Sequence, residues 1–325
     1  MLYKYESVLR QEFDDYLTLR ALSGRKSKDD KYILADLDRF LVSAEITSKA
    51  LTENTVTKWF QSMNVKSRTK KRKASVVREL AKYLSSLGIE AFAPELPRIS
   101  YDYVPYIFTE DEFSRIIAVV DNLSVPSYIS GIQATSQAPF LIRLLFGCGL
   151  RLGEALSLCW RDVDTDAGTL LIKYAKNAKQ RIVPMSDSMS ELCTIYQRSG
   201  LCGAGEADYL FGNREGTPYC QTWFRLIFTS VLSLAGVEYV RSSKQERGPC
   251  LHCLRHLFVL RSFSKAESEG RPLDDSVPYL STYLGHNSIM ETDKYLKFSY
   301  EMYPDAHETI STYISGVFPK LGVSE

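Results

Sequence analysis

The chain lacks three features that would assign it to other classes of protein. No apolar run approaches the ~20 residues of a membrane-spanning helix, and the opening residues 1–6 have no apolar stretch typical of a signal peptide. The seven cysteines lack the spacing of a disulfide framework, which suits a reducing cytoplasm. The chain also lacks a large net charge, since its 40 Lys and Arg residues are nearly balanced by 39 Asp and Glu residues. We therefore expect a cytoplasmic protein without a membrane partner, whose binding to any polyanion depends on local patches of charge.

Prolines and apolar periodicity predict two domains. With 325 residues, 45% of them hydrophobic, the chain can bury two ordinary cores. Pro94, Pro97 and Pro105 interrupt the helical periodicity and indicate an extended linker over 94–107. Before the linker, a helical bundle is predicted for residues 1–93, with helices at 5–22, 30–43, 52–63 and 67–87. After it, Thr109 and Glu112 form a capping box in a second domain over 108–325.

A strongly basic stretch opens the fourth predicted helix. It carries seven cations, with no acid before Glu79: Lys66, Arg68, Lys70, Lys71, Arg72, Lys73 and Arg78. Apolar residues at helical spacing follow, so we expect the helix to pack by one face and to lay these cations on phosphates. Such contacts position a protein on nucleic acid without reading its sequence. A solvated face and a localisation signal are the alternatives.

Six residues suited to phosphate chemistry are spread over the second half of the chain. Arg151 closely follows Gly149, which can supply the turn that starts a helix, and is expected in the first helical turn. His252 and Arg255 are three residues apart and so share a helical face. Two arginines, a lysine, two histidines and a tyrosine can attack and stabilise a phosphodiester without a metal ion, which points to an enzyme that cuts and rejoins DNA. The six are Arg151, Lys176, His252, Arg255, His286 and Tyr295.

The strings around these residues resemble a known family. Residues 147–164 read GCGLRLGEALSLCWRDVD, residues 252–258 read HCLRHLF, and residues 284–296 read LGHNSIMETDKYL. A Gly-Leu-Arg-x-x-Glu box, a His-x-x-Arg box, a Leu-Gly-His box and a tyrosine nine residues on form the signature of the tyrosine recombinases, the phage-integrase-like family. The resemblance covers about Thr109 to Tyr295. It implies a mainly α fold with a small β-sheet (α+β), in which a helical DNA-binding bundle and a catalytic domain form a C-shaped clamp on DNA.

The family also uses a lysine on a β-hairpin. Residues 168–185 read as such a hairpin, with a strand at 169–174, a tip at 175–179 and a return strand at 180–185. Asn177 stands where the family usually has a glycine, and Asn tolerates the left-handed conformation that the turn needs. The register favours Lys176 over Lys179 as the catalytic lysine. Lys179 is then expected to contact DNA.

The resemblance implies a reaction for these residues. Tyr295 would attack the phosphodiester, leaving a 3′-phosphotyrosyl link and a free 5′-hydroxyl. Arg151 and Arg255 would each fork onto non-bridging oxygens in the role of a metal, and His286 would add a hydrogen bond. His252 would accept or relay a proton, while the hairpin lysine would protonate the 5′ oxygen. Because one phosphodiester replaces another, no cofactor is predicted.

Other polar residues near the boxes have plainer expected roles. Glu154 is predicted to be a surface or supporting carboxylate beside Arg151, and His256 a packing or supporting residue beside Arg255. Arg181 is expected to be solvated or to touch phosphate.

A rival interpretation of the His-x-x-Arg region is a zinc site. Its ligands would be Cys250, His252, Cys253 and His256. The other five cysteines are scattered singly, so no metal site is predicted.

Three functional classes stay open. The leading one is a site-specific recombinase that joins two DNA duplexes with inverted-repeat core sites as a homotetramer, aided by an accessory DNA-bending or directionality factor, at the nucleoid of a prokaryote. Within this class we favour a mobile-element integrase or transposase over Xer-type resolution of chromosome or plasmid dimers. The other classes are a type IB topoisomerase and a catalytically silent DNA-binding regulator. The tail, residues 299–325, is expected to dock on a neighbouring subunit.

Overall fold

The computed structural model of the protein describes residues 3–24, 30–98, 105–123, 132–173, 180–203, 205–213, 215–240, 248–286, 288, 290–292 and 295. The chain divides into two compact units, Met1–Tyr103 and Val104–Glu325. The finer division into bundle, linker and second domain stays a prediction. In the described residues, no helix has both the length and the apolar character needed to cross a membrane.

The first unit contains four helices in its described part. They are α1 (Arg10–Leu22), α2 (Asp30–Ser43), α3 (Glu53–Gln61) and α4 (Ser67–Ser86). The four predicted helices of the bundle are thus confirmed. Their apolar faces pack around Phe13, Leu34, Trp59 and Leu80, which are almost completely buried.

Helix α1 begins five residues later than the sequence predicted. The buried carboxylate of Asp38 accepts hydrogen bonds from the backbone N–H groups of Glu6 (3.0 Å) and Ser7 (2.9 Å). These bonds hold the segment before Arg10 in a turn, because its N–H groups are committed to a side chain. Periodicity alone could not show this competition.

The second unit is mainly helical. Its helices are α5 (Glu110–Asp121), α6 (Ile132–Gly147), α7 (Leu152–Ala155), α8 (Asp187–Arg198), α9 (Gln221–Leu234), α10 (Leu251–Ser268) and α11 (Leu273–Leu284). Helix α6 packs against both α9 and α10, and Leu144, Phe228 and Leu254 are buried in the core that they share. The predicted capping box at α5 is confirmed, since Thr109 and Glu112 exchange side-chain-to-backbone hydrogen bonds.

A three-stranded antiparallel sheet accompanies these helices. Strands β1 (Val163–Asp164), β2 (Thr169–Ile172) and β3 (Arg181–Pro184) lie in the order β1-β2-β3. Leu170 pairs with Val183 and Ile172 with Arg181, so β2 and β3 form the predicted hairpin. Both strands are shorter than predicted, and the tip, 174–179, lies outside the described residues.

Candidate active site

Five polar side chains converge in the second unit. Arg151 precedes α7, Glu154 lies within α7, Arg181 begins β3, Arg255 lies on α10, and His286 follows α11. Hydrogen bonds connect these side chains to one another or to Leu284, the last residue of α11. Residues far apart in sequence therefore meet at one place, as the separate boxes predicted.

Glu154 is the centre of this network. Its carboxylate is 3% exposed and accepts hydrogen bonds from Arg151 Nη1 (2.9 Å) and from Arg181 Nη1 (3.1 Å) and Nη2 (2.9 Å). Burial acts to raise the pKa of Glu154, but the hydrogen bonds from Arg181 and Arg151 outweigh it and lower the pKa to about 2. The expected surface position of this carboxylate is therefore wrong, and its supporting role beside Arg151 stays a prediction.

Arg181 has partners that local sequence pattern does not indicate. Of its two expected environments the solvated one is wrong, because the side chain is 10% exposed and forks onto Glu154, and contact with phosphate stays a prediction. Its Nε also donates to the carbonyl of Tyr283 (2.8 Å). The partner lies 27 residues away in sequence, so only the position of Arg181 next to the hairpin tip could have drawn attention to it.

Arg151 occupies a different place in its helix than expected. It is the N-cap of α7 rather than a residue of the first turn, and α7 is only four residues long. Its backbone N–H donates to Glu154 Oε2 (2.9 Å), so a carboxylate of the protein already caps this helix start. The side chain is a quarter exposed, which leaves it accessible to an anion.

Arg255 is almost completely buried, with 1% of its surface exposed. Nη1 donates to the carbonyl of Gly149 (2.7 Å), and Nη2 donates to the carbonyl of Leu284 (2.9 Å). Burial and the neighbouring Arg151 lower its pKa to about 10, so the guanidinium still carries its charge at neutral pH. We call Arg151, Arg181 and Arg255 the cation cluster.

The contact with Arg255 determines the tautomer of His286. Its Nε2 is 3.0 Å from Nη2 of Arg255, and its Nδ1 is 2.7 Å from Oγ1 of Thr292. An arginine can only donate, so Nε2 accepts and the proton of the neutral ring lies on Nδ1, which donates to Thr292. Burial and then the charge of Arg255 lower the pKa of His286 to about 3, which keeps the ring neutral.

Tyr295 lies beside the cation cluster, in an apolar setting. Its ring is 6% exposed and packs with Val259, Phe263 and Leu280. Burial raises the pKa of Tyr295 to about 12, although the charges of Arg255 and Arg151 act to lower it. Its hydroxyl is 2.7 Å from Nδ1 of His256. His256 therefore contacts the reactive group predicted at Tyr295, and no local pattern indicates this contact, because the two residues are 39 positions apart.

His252 and Arg255 share α10 but differ in environment. His252 is exposed, whereas Arg255 is buried. The imidazole of His252 meets that of His256 edge to face, with 4.7 Å between ring centroids. The exposed ring is thus close to the residue that contacts Tyr295.

Two glycines permit the close packing of this site. Gly149 has φ +58°, and a Cβ there would lie 2.5 Å from the ring of Phe258 on α10. Gly285 has φ +64° and ends α11 in the left-handed conformation. A Cβ at Gly285 would lie 3.1 Å from the side chain of Arg181. The glycines of the Gly-Leu-Arg and Leu-Gly-His strings are therefore needed for both backbone conformation and space.

The site has an excess of positive charge. Three guanidiniums of the cation cluster surround the single buried carboxylate of Glu154. Fixed guanidiniums of this kind bind the paired oxygens of a phosphate or carboxylate. The arrangement can bind a phosphodiester next to a tyrosine hydroxyl.

The two predicted hairpin lysines, Lys176 and Lys179, lie outside the described residues.

In the first unit, the seven cations of the basic stretch differ in exposure. Lys66, Arg68, Arg72 and Arg78 are exposed. Lys73 is mostly buried, because it forms an ion pair with Asp36 and lies over the ring of Trp59. Lys70 and Lys71 are partly buried. The charge of Lys73 is thus already compensated within the protein.

Cys250 and Cys253 begin α10. Cys250 is the N-cap, its backbone N–H donates to Cys253 Sγ (3.4 Å), and the two sulfurs are 3.7 Å apart. The cysteine pair of the rival zinc interpretation therefore caps the helix that carries His252 and Arg255.

Several known proteins are similar to this chain in sequence. The profile of the phage integrase family matches residues 107–302. A Sinorhizobium fredii protein named as an integrase/recombinase, y4rB, is 28% identical over 316 residues, covering 92% of this chain and 96% of that protein. The tyrosine recombinase XerC of Bacillus subtilis is 27% identical over 301 residues, covering 90% and 84%.

A solved structure agrees on the fold. The XerH site-specific recombinase, bound to a palindromic difH substrate after cleavage, superposes with a TM-score of 0.63 at 19% identity, over 85% of this chain and 77% of that one. The chain therefore belongs to the phage integrase family of tyrosine recombinases, enzymes that cleave and rejoin DNA strands.

Proposed function

We propose that this protein is a site-specific recombinase that integrates or excises a mobile element through a 3′-phosphotyrosyl intermediate at Tyr295. One observation carries the proposal. The ring of Tyr295 stacks on the ring of His286, with 6.5 Å between the ring centroids, and Nε2 of His286 is 3.0 Å from Nη2 of Arg255. A phosphodiester bound by Arg255 and Arg151 would therefore lie close to Tyr295.

The remaining side chains supply the steps of the reaction. Arg151 and Arg255 stabilise the charge on the non-bridging oxygens as the phosphorus becomes pentavalent. His286 binds the same phosphate in its other neutral tautomer, in which Nε2–H donates to the phosphate and Nδ1 accepts the hydrogen bond of the Thr292 hydroxyl. His252 relays the proton of Tyr295, and Lys176 protonates the departing 5′ oxygen. The free 5′-hydroxyl of the partner strand then attacks the phosphotyrosine and restores a phosphodiester.

The reaction requires two duplexes and several subunits. We propose inverted-repeat core sites and a homotetramer at synapsis, with an accessory protein setting direction. The relative XerH is bound to a palindromic DNA, which supports a two-fold arrangement of half-sites. The exposed cations of the basic stretch are proposed to contact phosphates on this DNA.

Covalent trapping tests the proposal directly. The wild-type protein and Tyr295→Phe are incubated with nicked duplexes that include the DNA flanking the gene, and the covalently attached DNA is sequenced. Adducts confined to one inverted-repeat site, and lost in Tyr295→Phe, are the expected result. Adducts spread over unrelated sequences would favour a type IB topoisomerase, and no adduct with any duplex would favour a silent DNA-binding protein.

Xer-type resolution of chromosome or plasmid dimers is the second candidate. The similarity to XerC of Bacillus subtilis over 90% of this chain favours it. A plasmid carrying two copies of the trapped site separates the two roles. If the trapped site is chromosomal and the protein converts plasmid dimers that carry it to monomers, the result supports resolution. If the protein instead joins the two ends of an element, the result supports the mobile-element role.

A further inference from the structure

His256 makes a contact that the proposed reaction does not use. Its Nδ1 is 2.7 Å from the hydroxyl of Tyr295, and both side chains are 6% exposed. His256 directly follows Arg255 on α10. The same helix therefore holds a cation of the phosphate site and the hydrogen-bond partner of the proposed nucleophile.

We propose that His256 is the positioning residue for Tyr295, in that its Nδ1 accepts the hydrogen bond of the phenolic hydroxyl and fixes this oxygen beside Arg255. The role rests on the proposed function, since it concerns the nucleophile assigned there. It differs from the proton relay given to His252, and it replaces the packing or supporting role beside Arg255 expected for His256 with a role toward Tyr295.

The direction of the hydrogen bond follows from the groups left without partners. Within the described residues the Tyr295 hydroxyl bonds to His256, and the buried Nε2 of His256 has no partner. If Nδ1 donated, both the phenolic proton and the Nε2 lone pair would be unpaired. If Nδ1 accepts, the N–H at Nε2 is the unpaired polar hydrogen. Acceptance leaves fewer buried polar groups unpaired and is therefore favoured, because each unpaired buried group is destabilising.

His256 holds the hydroxyl without removing its proton. Burial and then the nearby His252, Arg255 and His286 lower the pKa of His256 to about 3. Burial raises the pKa of Tyr295 to about 12. Transfer of the proton within this pair is therefore strongly unfavourable. The imidazole stays neutral and keeps its accepting lone pair throughout the neutral range.

The hydrogen bond to His256 supplies an orientation of the hydroxyl that the apolar part of the pocket does not. The Tyr295 ring packs against Val259, Phe263 and Leu280, and apolar contacts of this kind are not directional. The bond to His256 is directional and fixes the oxygen relative to α10. A misplacement of about 1 Å in a reacting group can cost roughly 100-fold in rate.

A pair of substitutions separates positioning from packing. His256→Leu removes the acceptor with little loss of volume, and His256→Asn can place its amide oxygen where Nδ1 lies. Tyr196→Phe serves as a matched control, because it removes another buried hydroxyl, which donates to the Leu210 carbonyl (2.9 Å) in a different part of the core. The measurements are the single-turnover rate of adduct formation on a nicked duplex, the DNA affinity and the Tm.

We expect His256→Leu to lower the adduct rate roughly 10- to 100-fold at unchanged DNA affinity. His256→Asn should recover most of the lost rate. Tyr196→Phe should lower the Tm and leave the rate per folded molecule unchanged. Equal rates in the Leu and Asn variants, or a rate loss that follows Tm in all three, would overturn the positioning role.

Histidine ¹⁵N NMR on the full chain tests the contact without any activity. The chain has four histidines, so their ring nitrogens can be assigned. Wild type should show His256 protonated at Nε2 with a hydrogen-bonded Nδ1, and Tyr295→Phe should shift that Nδ1 signal. An unchanged Nδ1 signal overturns only the positioning role. A wild-type protein that forms no adduct overturns the proposed function and the positioning role with it.

Discussion

The two halves of the candidate site are held in different ways. Glu154 and main-chain carbonyls fix the cation cluster through several hydrogen bonds to each guanidinium. Tyr295, by contrast, is placed by apolar packing and by a hydrogen bond to His256. The proposed phosphate-binding half is therefore organised in the absence of DNA, as electrostatic catalysis requires. The proposed nucleophile keeps its proton, since its pKa is raised to about 12.

The largest effect is expected from removing the carboxylate of the cation cluster. Glu154→Gln should destabilise the second unit by about 3–5 kcal/mol, because it leaves buried guanidiniums without their counter-charge. Asp121→Asn is the matched control, since Asp121 pairs with Arg143 at the surface and should cost under about 1 kcal/mol. Urea unfolding of the full chain measures both changes, and equal losses would contradict the central place given to Glu154.

Acid titration sharpens the same prediction. The pKa of Glu154 is lowered from 4.5 to about 2 on folding. Its contribution, about 3 kcal/mol, is therefore fully present above the unfolded pKa and is lost as pH falls through about 2. The stability difference between wild type and Glu154→Gln should be constant from pH 5 to 8 and shrink below about pH 4.5. A difference that stays constant down to pH 3 would show that another group sets the acid limit.

Arg255→Lys should abolish most of the covalent chemistry while keeping the charge. A lysine cannot reach the carbonyls of Gly149 and Leu284 while also forking onto phosphate, so adduct formation should fall roughly 10²- to 10³-fold. Arg143→Lys is the control, because Arg143 also forms a forked ion pair but with Asp121 near the surface. Similar rates of adduct formation for the two variants would show that Arg255 takes no part in the reaction.

A smaller effect should follow at the glycine that ends α11. Gly285→Ala puts a Cβ in a left-handed backbone, which costs about 1–2 kcal/mol, and presses it on Arg181. Gly270→Ala has the same backbone strain at φ +75° with nothing within 4 Å. Both variants should lose similar stability, but only Gly285→Ala should slow adduct formation, measured at equal folded fraction. Equal adduct rates would mean that Arg181 tolerates the added methyl group.

The smallest effect is expected in the basic stretch of the first unit. Arg68→Ala should reduce the slope of log K against log salt by about 0.9, the loss of one phosphate contact. Lys73→Ala should leave the slope unchanged and lower the Tm, since Lys73 is already paired with Asp36. Titrations of a labelled duplex at several salt concentrations distinguish these outcomes. A fall in slope for Lys73→Ala would show that DNA takes Lys73 from Asp36.

The sequence predicted those parts of the structure that depend on local pattern. The helices of the first unit and the capping box at Thr109 follow from periodicity and capping residues, whereas the β2–β3 hairpin was expected from the family resemblance together with its strand pattern. The start of α1 was missed because Asp38, far along the chain, binds the preceding turn. Arg181 was missed for the same reason, since its partner Glu154 belongs to another element.

The contacts of Arg255 have a consequence for how this site tolerates sequence change. Its acceptors at positions 149 and 284 are peptide oxygens, which every amino acid possesses. Substitution of Leu284 by another residue therefore leaves this carbonyl acceptor in the chain. An insertion or deletion near the end of α6 or of α11 can displace it. We therefore expect related sequences to vary in side chains around this arginine far more readily than in the lengths of these two connections.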